Sequence, residues 1–82
     1  MALKVKRFKV PLTTEGLVDA ALSVAEELSE LGVERPEDAI DAIFTAASNG
    51  FGKRVVGGVV VEAKKDGADA IVVSIYFEEV EV

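Results

Sequence analysis

The sequence predicts an α+β domain: a two-layer β-α-α-β-β arrangement, with a curved three-stranded sheet and two helices on one face. Three observations carry this. Two segments between residues 13 and 49 place apolar residues at helical spacing. Apolar and polar residues alternate near the N-terminus and through the last third. Within that last third, Asp66-Gly67 separates two β-rich runs, as the turn of a hairpin does.

The first strand covers residues 2–12. Its apolar positions are Leu3 and Val5, then Phe8, Val10 and Leu12. The parity changes between Val5 and Phe8, and a period-2 pattern that slips by one predicts a bulge at Lys6-Arg7. The first helix follows. Leu17, Ala21, Val24, Leu28 and Leu31 share one face, Thr13 supplies an N-cap, and Gly32 supplies a stop.

Residues 37–48 read as a second helix. Pro36 at a first-turn position, followed by Glu37 and Asp38, is a start signal. Ile40, Ile43, Phe44 and Ala47 then recur at i, i+3, i+4 and i+7, and Asn49-Gly50 ends the run. The rival reading makes residues 39–47 a strand.

The second and third strands, residues 53–63 and 68–82, form a long hairpin around the Asp66-Gly67 turn. With both helices on one face, the first strand runs parallel to the third. Lys4, Lys6, Arg7 and Lys9 match Glu78, Glu79 and Glu81 in charge, so these two strands are neighbours and the sheet order is 2-3-1. Residues 1–82 form a single domain.

Gly57 and Gly58 fall inside the predicted second strand, among valines. Glycine inside a strand marks a bulge, a bend or the close approach of another backbone. One face of that strand carries Arg54, Val56, Gly58, Val60 and Glu62. The matching face of the third carries Val72, Ser74, Tyr76 and Glu78. One layer of helices cannot cover both faces of a sheet. Val56, Val60, Val72 and Tyr76 therefore form an exposed apolar patch, and such patches mark partner surfaces. The expectation is a homo-oligomer with Val56, Gly57, Gly58, Val60, Val72 and Tyr76 at its interface. A renewed parity shift after Phe77, to Val80 and Val82, points to strong curvature.

Composition narrows the chemistry. The 82 residues include no cysteine and no histidine, which removes disulfides, thiolate ligands and the commonest general base. A net charge of −6 argues against nucleic-acid binding, and no apolar run reaches the length of a membrane span. With no targeting signal, a soluble cytoplasmic protein is expected.

The stretch "SNGFGKR" (48–54) has glycines and a lysine in a spacing that hints at phosphate. It leads into a strand and not a helix N-terminus, so a helix cap plus loop accounts for it. The basic first strand carries a single aromatic residue, Phe8, which does not make a stacking platform. Glu37, Asp38 and Asp41 could hold a hard cation, but helix-dipole complementation accounts for them. Arg54 and Tyr76 are the candidate ligand-binding pair, in a pocket on the outer sheet face. No catalytic, cofactor or metal residues are assigned.

Two resemblances arise. Residues 13–50, with a helix, a "PED" turn and then "AIFTA", resemble the N-terminal half of the trimeric chorismate mutases of the AroH type. That resemblance implies a strand at 37–48, a trimer around a sheet-lined core, and Arg54 and Tyr76 near the substrate. The family's central segment, with its active-site acidic residue, has no counterpart in this chain. The chain also resembles computationally designed proteins: capped helices, clean amphipathic stripes, an Asp-Gly hairpin, and no His, Cys, Trp or Gln. The functional expectation is a self-assembling structural domain without catalytic activity, and the second resemblance implies a designed origin. The alternative is a homo-oligomer that binds a small molecule between subunits.

Overall fold

A computed structural model describes residues 2–79. In chain order the elements are β1 (Ala2–Pro11), α1 (Thr14–Glu30), a 3-10 turn (Pro36–Ala39), α2 (Asp41–Asn49), β2 (Phe51–Val56), β3 (Val59–Lys65) and β4 (Ala70–Glu79). The sheet order is β1-β4-β3-β2, and every pair is antiparallel.

Local chemistry sets the helices. The Gly16 N–H donates to Thr13 Oγ1 at 3.0 Å, so Thr13 caps α1. At the other end Val33 N–H reaches the Leu28 carbonyl and Gly32 N–H the Ser29 carbonyl, both at 3.0 Å. These two bonds are the Schellman closure that glycine permits. Pro36 opens a 3-10 turn, and the regular helix starts only at Asp41. Residues 41–49 are thus helical where the mutase resemblance implies a strand. Phe44, placed by its spacing on the buried stripe, is 46% exposed; Ala42, Ile43 and Ala46 face the sheet.

The core lies between the helices and one side of the sheet. Val24 and Leu28 from α1 and Ile43 from α2 meet Val61, Ile71, Val73 and Ile75, all fully buried. Each such side chain contributes about 1.5–3 kcal/mol of transfer free energy. Gly52 lets α2 lie directly on β2: a Cβ there would stand 2.1 Å from the Ala42 carbonyl oxygen.

Three expectations need correction. The sheet has four strands, not three. Gly57 and Gly58, with φ of +57° and +80°, form the two-residue turn between β2 and β3. Positive φ at both central residues is what such a turn requires, because its backbone then follows the twist of the flanking strands. The glycines therefore do not bend a continuous strand.

That extra hairpin adds one reversal of direction. β1 lies beside the last strand, as their charges suggested, but runs antiparallel to it. The order is thus 1-4-3-2, in place of 2-3-1.

The third correction is the bulge at Lys6-Arg7. The β1–β4 register runs unbroken from Ala2 opposite Glu79 to Pro11 opposite Ala70. The parity shift is real and has another cause. Phe8 and Val10 pack on the core, opposite Val73 and Ile71. Nearer the N-terminus the core-side positions pass to lysine: Lys6 Nζ meets Glu27 of α1 at 2.6 Å. Leu3 and Val5 occupy the opposite side. Val80 and Val82 lie outside the described residues.

Candidate functional site

The helices cover one side of the sheet, and among the described residues no element covers the other. The registers order that open side into rows across β1, β4, β3 and β2. One row is Val5, Tyr76, Val60 and Val55. The next is Arg7, Ser74, Glu62 and Lys53, and the third is Lys9, Val72, Lys64 and Phe51. Four strands about 4.8 Å apart make each row about 14 Å long.

The first row is wholly apolar apart from the tyrosine hydroxyl. Its ends are open: Val5 is 48% exposed and Val55 65%. Leu3, beyond Val5, is 73% exposed. In the second row, Arg7 Nε donates to Ser74 Oγ at 2.9 Å. This bond satisfies Ser74, the one buried polar side chain among the described residues of the sheet.

Of the candidate interface residues, Val60, Val72 and Tyr76 belong to this open side, each half-buried. Val56 does not. The two-residue turn pairs Val56 with Val59 and Val55 with Val60, which inverts the facing of every β2 residue relative to one continuous strand. Val56 packs against the core instead. Gly57 and Gly58 lie at the rim, in the turn. Leu3, Val5, Phe51 and Val55 were not singled out from the sequence. The parity shift in β1 and a Gly-Gly turn flanked by valines were the signals for them.

Arg54 and Tyr76 are not brought together. Arg54 faces the helices and forms an ion pair with Asp41, whereas Tyr76 lies on the open side. The depression beside Arg54, about 630 Å³, is lined by Glu37, Asp38, Asp41 and residues 54–57. Its carboxylates have cationic partners: Arg35 Nε lies 3.7 Å from Glu37 and 3.6 Å from Asp38. Among the described residues no group of three or more carboxylates has metal-binding geometry.

The basic first strand is engaged along its length. Lys4 is 3.8 Å from Glu79 and Lys9 is 2.9 Å from Asp66. The bonds to Glu27 and Asp66 raise the pKa values of Lys6 and Lys9 above the ordinary lysine value. No helix among the described residues is long and apolar enough to cross a membrane. Comparison of the chain with protein-family models, with curated proteins and with solved structures finds no match.

Proposed function

We propose that the chain is a structural module that self-associates through the open side of its sheet. The observation that carries this reading is the apolar row Val5–Tyr76–Val60–Val55, extended by Leu3 at one corner and Phe51 at another. A solvent-facing row on an antiparallel sheet is ordinarily polar, because a sheet packed on one side alternates apolar-in and polar-out. Large contiguous exposed apolar patches bordered by polar residues mark partner surfaces. No catalytic role is assigned to any residue.

The test is mass in solution. Sedimentation velocity at micromolar concentrations is expected to give species heavier than the 8.7 kDa chain. A constant 8.7 kDa up to hundreds of micromolar overturns the reading.

A designed origin is proposed beside it. Thr13, Gly32, the Gly57-Gly58 turn and Gly50 at the end of α2 each follow the local rule for their position. The expected signature is a guanidinium midpoint above about 5 M; a midpoint in the ordinary mesophile range counts against it.

A further inference from the structure

We infer that copies of the chain meet sheet against helices: the open side of one sheet docks on the outward face of the helix layer of the next copy. The inference rests on the self-association reading and names the surface that the open side meets.

Charge is divided between the two faces. Residues 13–50, which form the helix layer, hold nine acidic residues and one basic residue, Arg35. The open side of the sheet holds four cations, Arg7, Lys9, Lys53 and Lys64, against Glu62 and Glu78. Lys9 is spent on Asp66, but among the described residues no ion pair engages Arg7, Lys53 or Lys64. A chain of net charge −6 thus presents a cationic face opposite an anionic one.

Both faces also expose apolar side chains. On α1, Val18 is 48% and Leu22 64% exposed, one turn apart on the side away from the core. Asp19 and Glu26 lie beside them at helical spacing. On α2, Phe44 is 46% exposed. The helix layer therefore offers apolar anchors ringed by carboxylates, and the sheet offers an apolar row bordered by cations.

Sheet against sheet is the poorer arrangement. It would bring Arg7, Lys53 and Lys64 of both copies into one interface, with two carboxylates per copy to offset them. Like charges across an interface cost several kcal/mol, and complementary fields favour one mode over others. Because the two docking surfaces differ, the contact is head to tail. Copies then close into a ring or continue as an open chain.

Two variants test this, Val55→Glu on the sheet and Leu22→Lys on α1. Both positions are exposed in the single chain, so each variant is expected to keep the circular dichroism spectrum of the folded parent. Each substitution sets a charge of the opposing sign among the apolar anchors of one docking surface only. Head-to-tail contact predicts that each variant alone sediments as a monomer. It also predicts that an equimolar mixture associates again, since the intact sheet of one variant meets the intact helix layer of the other. A Leu22→Lys protein that assembles like the parent overturns sheet-on-helix docking while leaving self-association standing. So does a mixture of monomers that stays monomeric. A parent chain that is itself monomeric removes the self-association reading first.

Discussion

Val5 and Val55 stand at the two ends of one row across the sheet, joined through Tyr76 and Val60, although one belongs to the first strand and the other to the second. The row exists because the Gly57-Gly58 turn sets Val55, and not Val56, opposite Val60. Adjacent valines thereby acquire different work. Val55→Glu adds a charge at an exposed site and is expected to change the stability of the dissociated chain by no more than about 0.5 kcal/mol while lowering the assembled mass. Val56→Glu places a carboxylate against the core and is expected to cost about 2 kcal/mol or more. Urea titration with sizing of both variants checks the pair. Equal effects on stability would refute the facing assigned here.

Gly58 holds φ at +80° with nothing within 4 Å of the position a Cβ would take. Backbone conformation, rather than close packing, is what requires glycine there. Gly58→Ala is therefore expected to cost about 1–2 kcal/mol, the penalty of the left-handed region for an L residue. Gly58→Asn is expected to cost less, since asparagine visits that region most readily among the others. Neither is expected to alter mass. Denaturant midpoints and light scattering read both quantities.

Gly52 fails for the opposite reason. Its Cβ would collide with the Ala42 carbonyl oxygen, so α2 would have to retreat from β2. Gly52→Ala is expected to cost about 3 kcal/mol, the upper end of overpacking effects. Loss of helical circular dichroism at a lower denaturant concentration would register it. An unchanged midpoint would show that α2 slides freely on β2.

Lys6 and Lys9 supply a pH dependence with a definite sign. Each holds its proton more tightly in the folded chain, Lys6 chiefly through its hydrogen bond to Glu27 and Lys9 through its bond to Asp66. The contribution is intact at neutral pH. It fades as pH rises from the unfolded lysine value of about 10.4 through the raised folded values. Both side chains are exposed, so the effect is small and weakens with salt. The urea midpoint is expected to hold between pH 7 and 9 and to fall above about pH 10.4. In a Lys6→Met, Lys9→Met double variant the fall should be shallower.

How far the sequence disclosed this molecule depends on the element. α1 was legible in its bounds, because cap and glycine stop are local and agree; of its predicted stripe Val24 and Leu28 are buried, whereas Leu31, at the end of the helix, is 39% exposed and Ala20 takes a core position instead. α2 was legible in kind but not in its start, since Pro36 also suits a 3-10 turn. The β2–β3 hairpin was missed because its turn residues are glycines between valines, and that pattern also describes the interior of a strand. Flanking β-branched residues on both sides of Gly-Gly are themselves a hairpin signal. The open-face patch was recognised in kind, yet Val56 was assigned to it in place of Val55. That one error of facing followed from the missed turn and also set Arg54 beside Tyr76. The parity shift in β1 was attributed to the backbone. It came instead from the strand outrunning the core, so that its apolar positions changed sides.

The pairing of β1 with β4 also governs how the chain is made. Among the described strands β1 leaves the ribosome before the others, and the strand it pairs with, β4, leaves after them. β2, β3 and β4 are joined by short turns and can associate as they emerge, whereas β1 must wait until β4 has been made. During that interval the nascent strand carries Leu3, Val5, Phe8 and Val10 with no sheet to join. Lys4, Lys6, Arg7 and Lys9 alternate with or flank these residues and oppose premature strand-to-strand contact. Pulse-labelled hydrogen exchange during refolding is expected to find the β1 amides protected last, after those shared by β2 and β3.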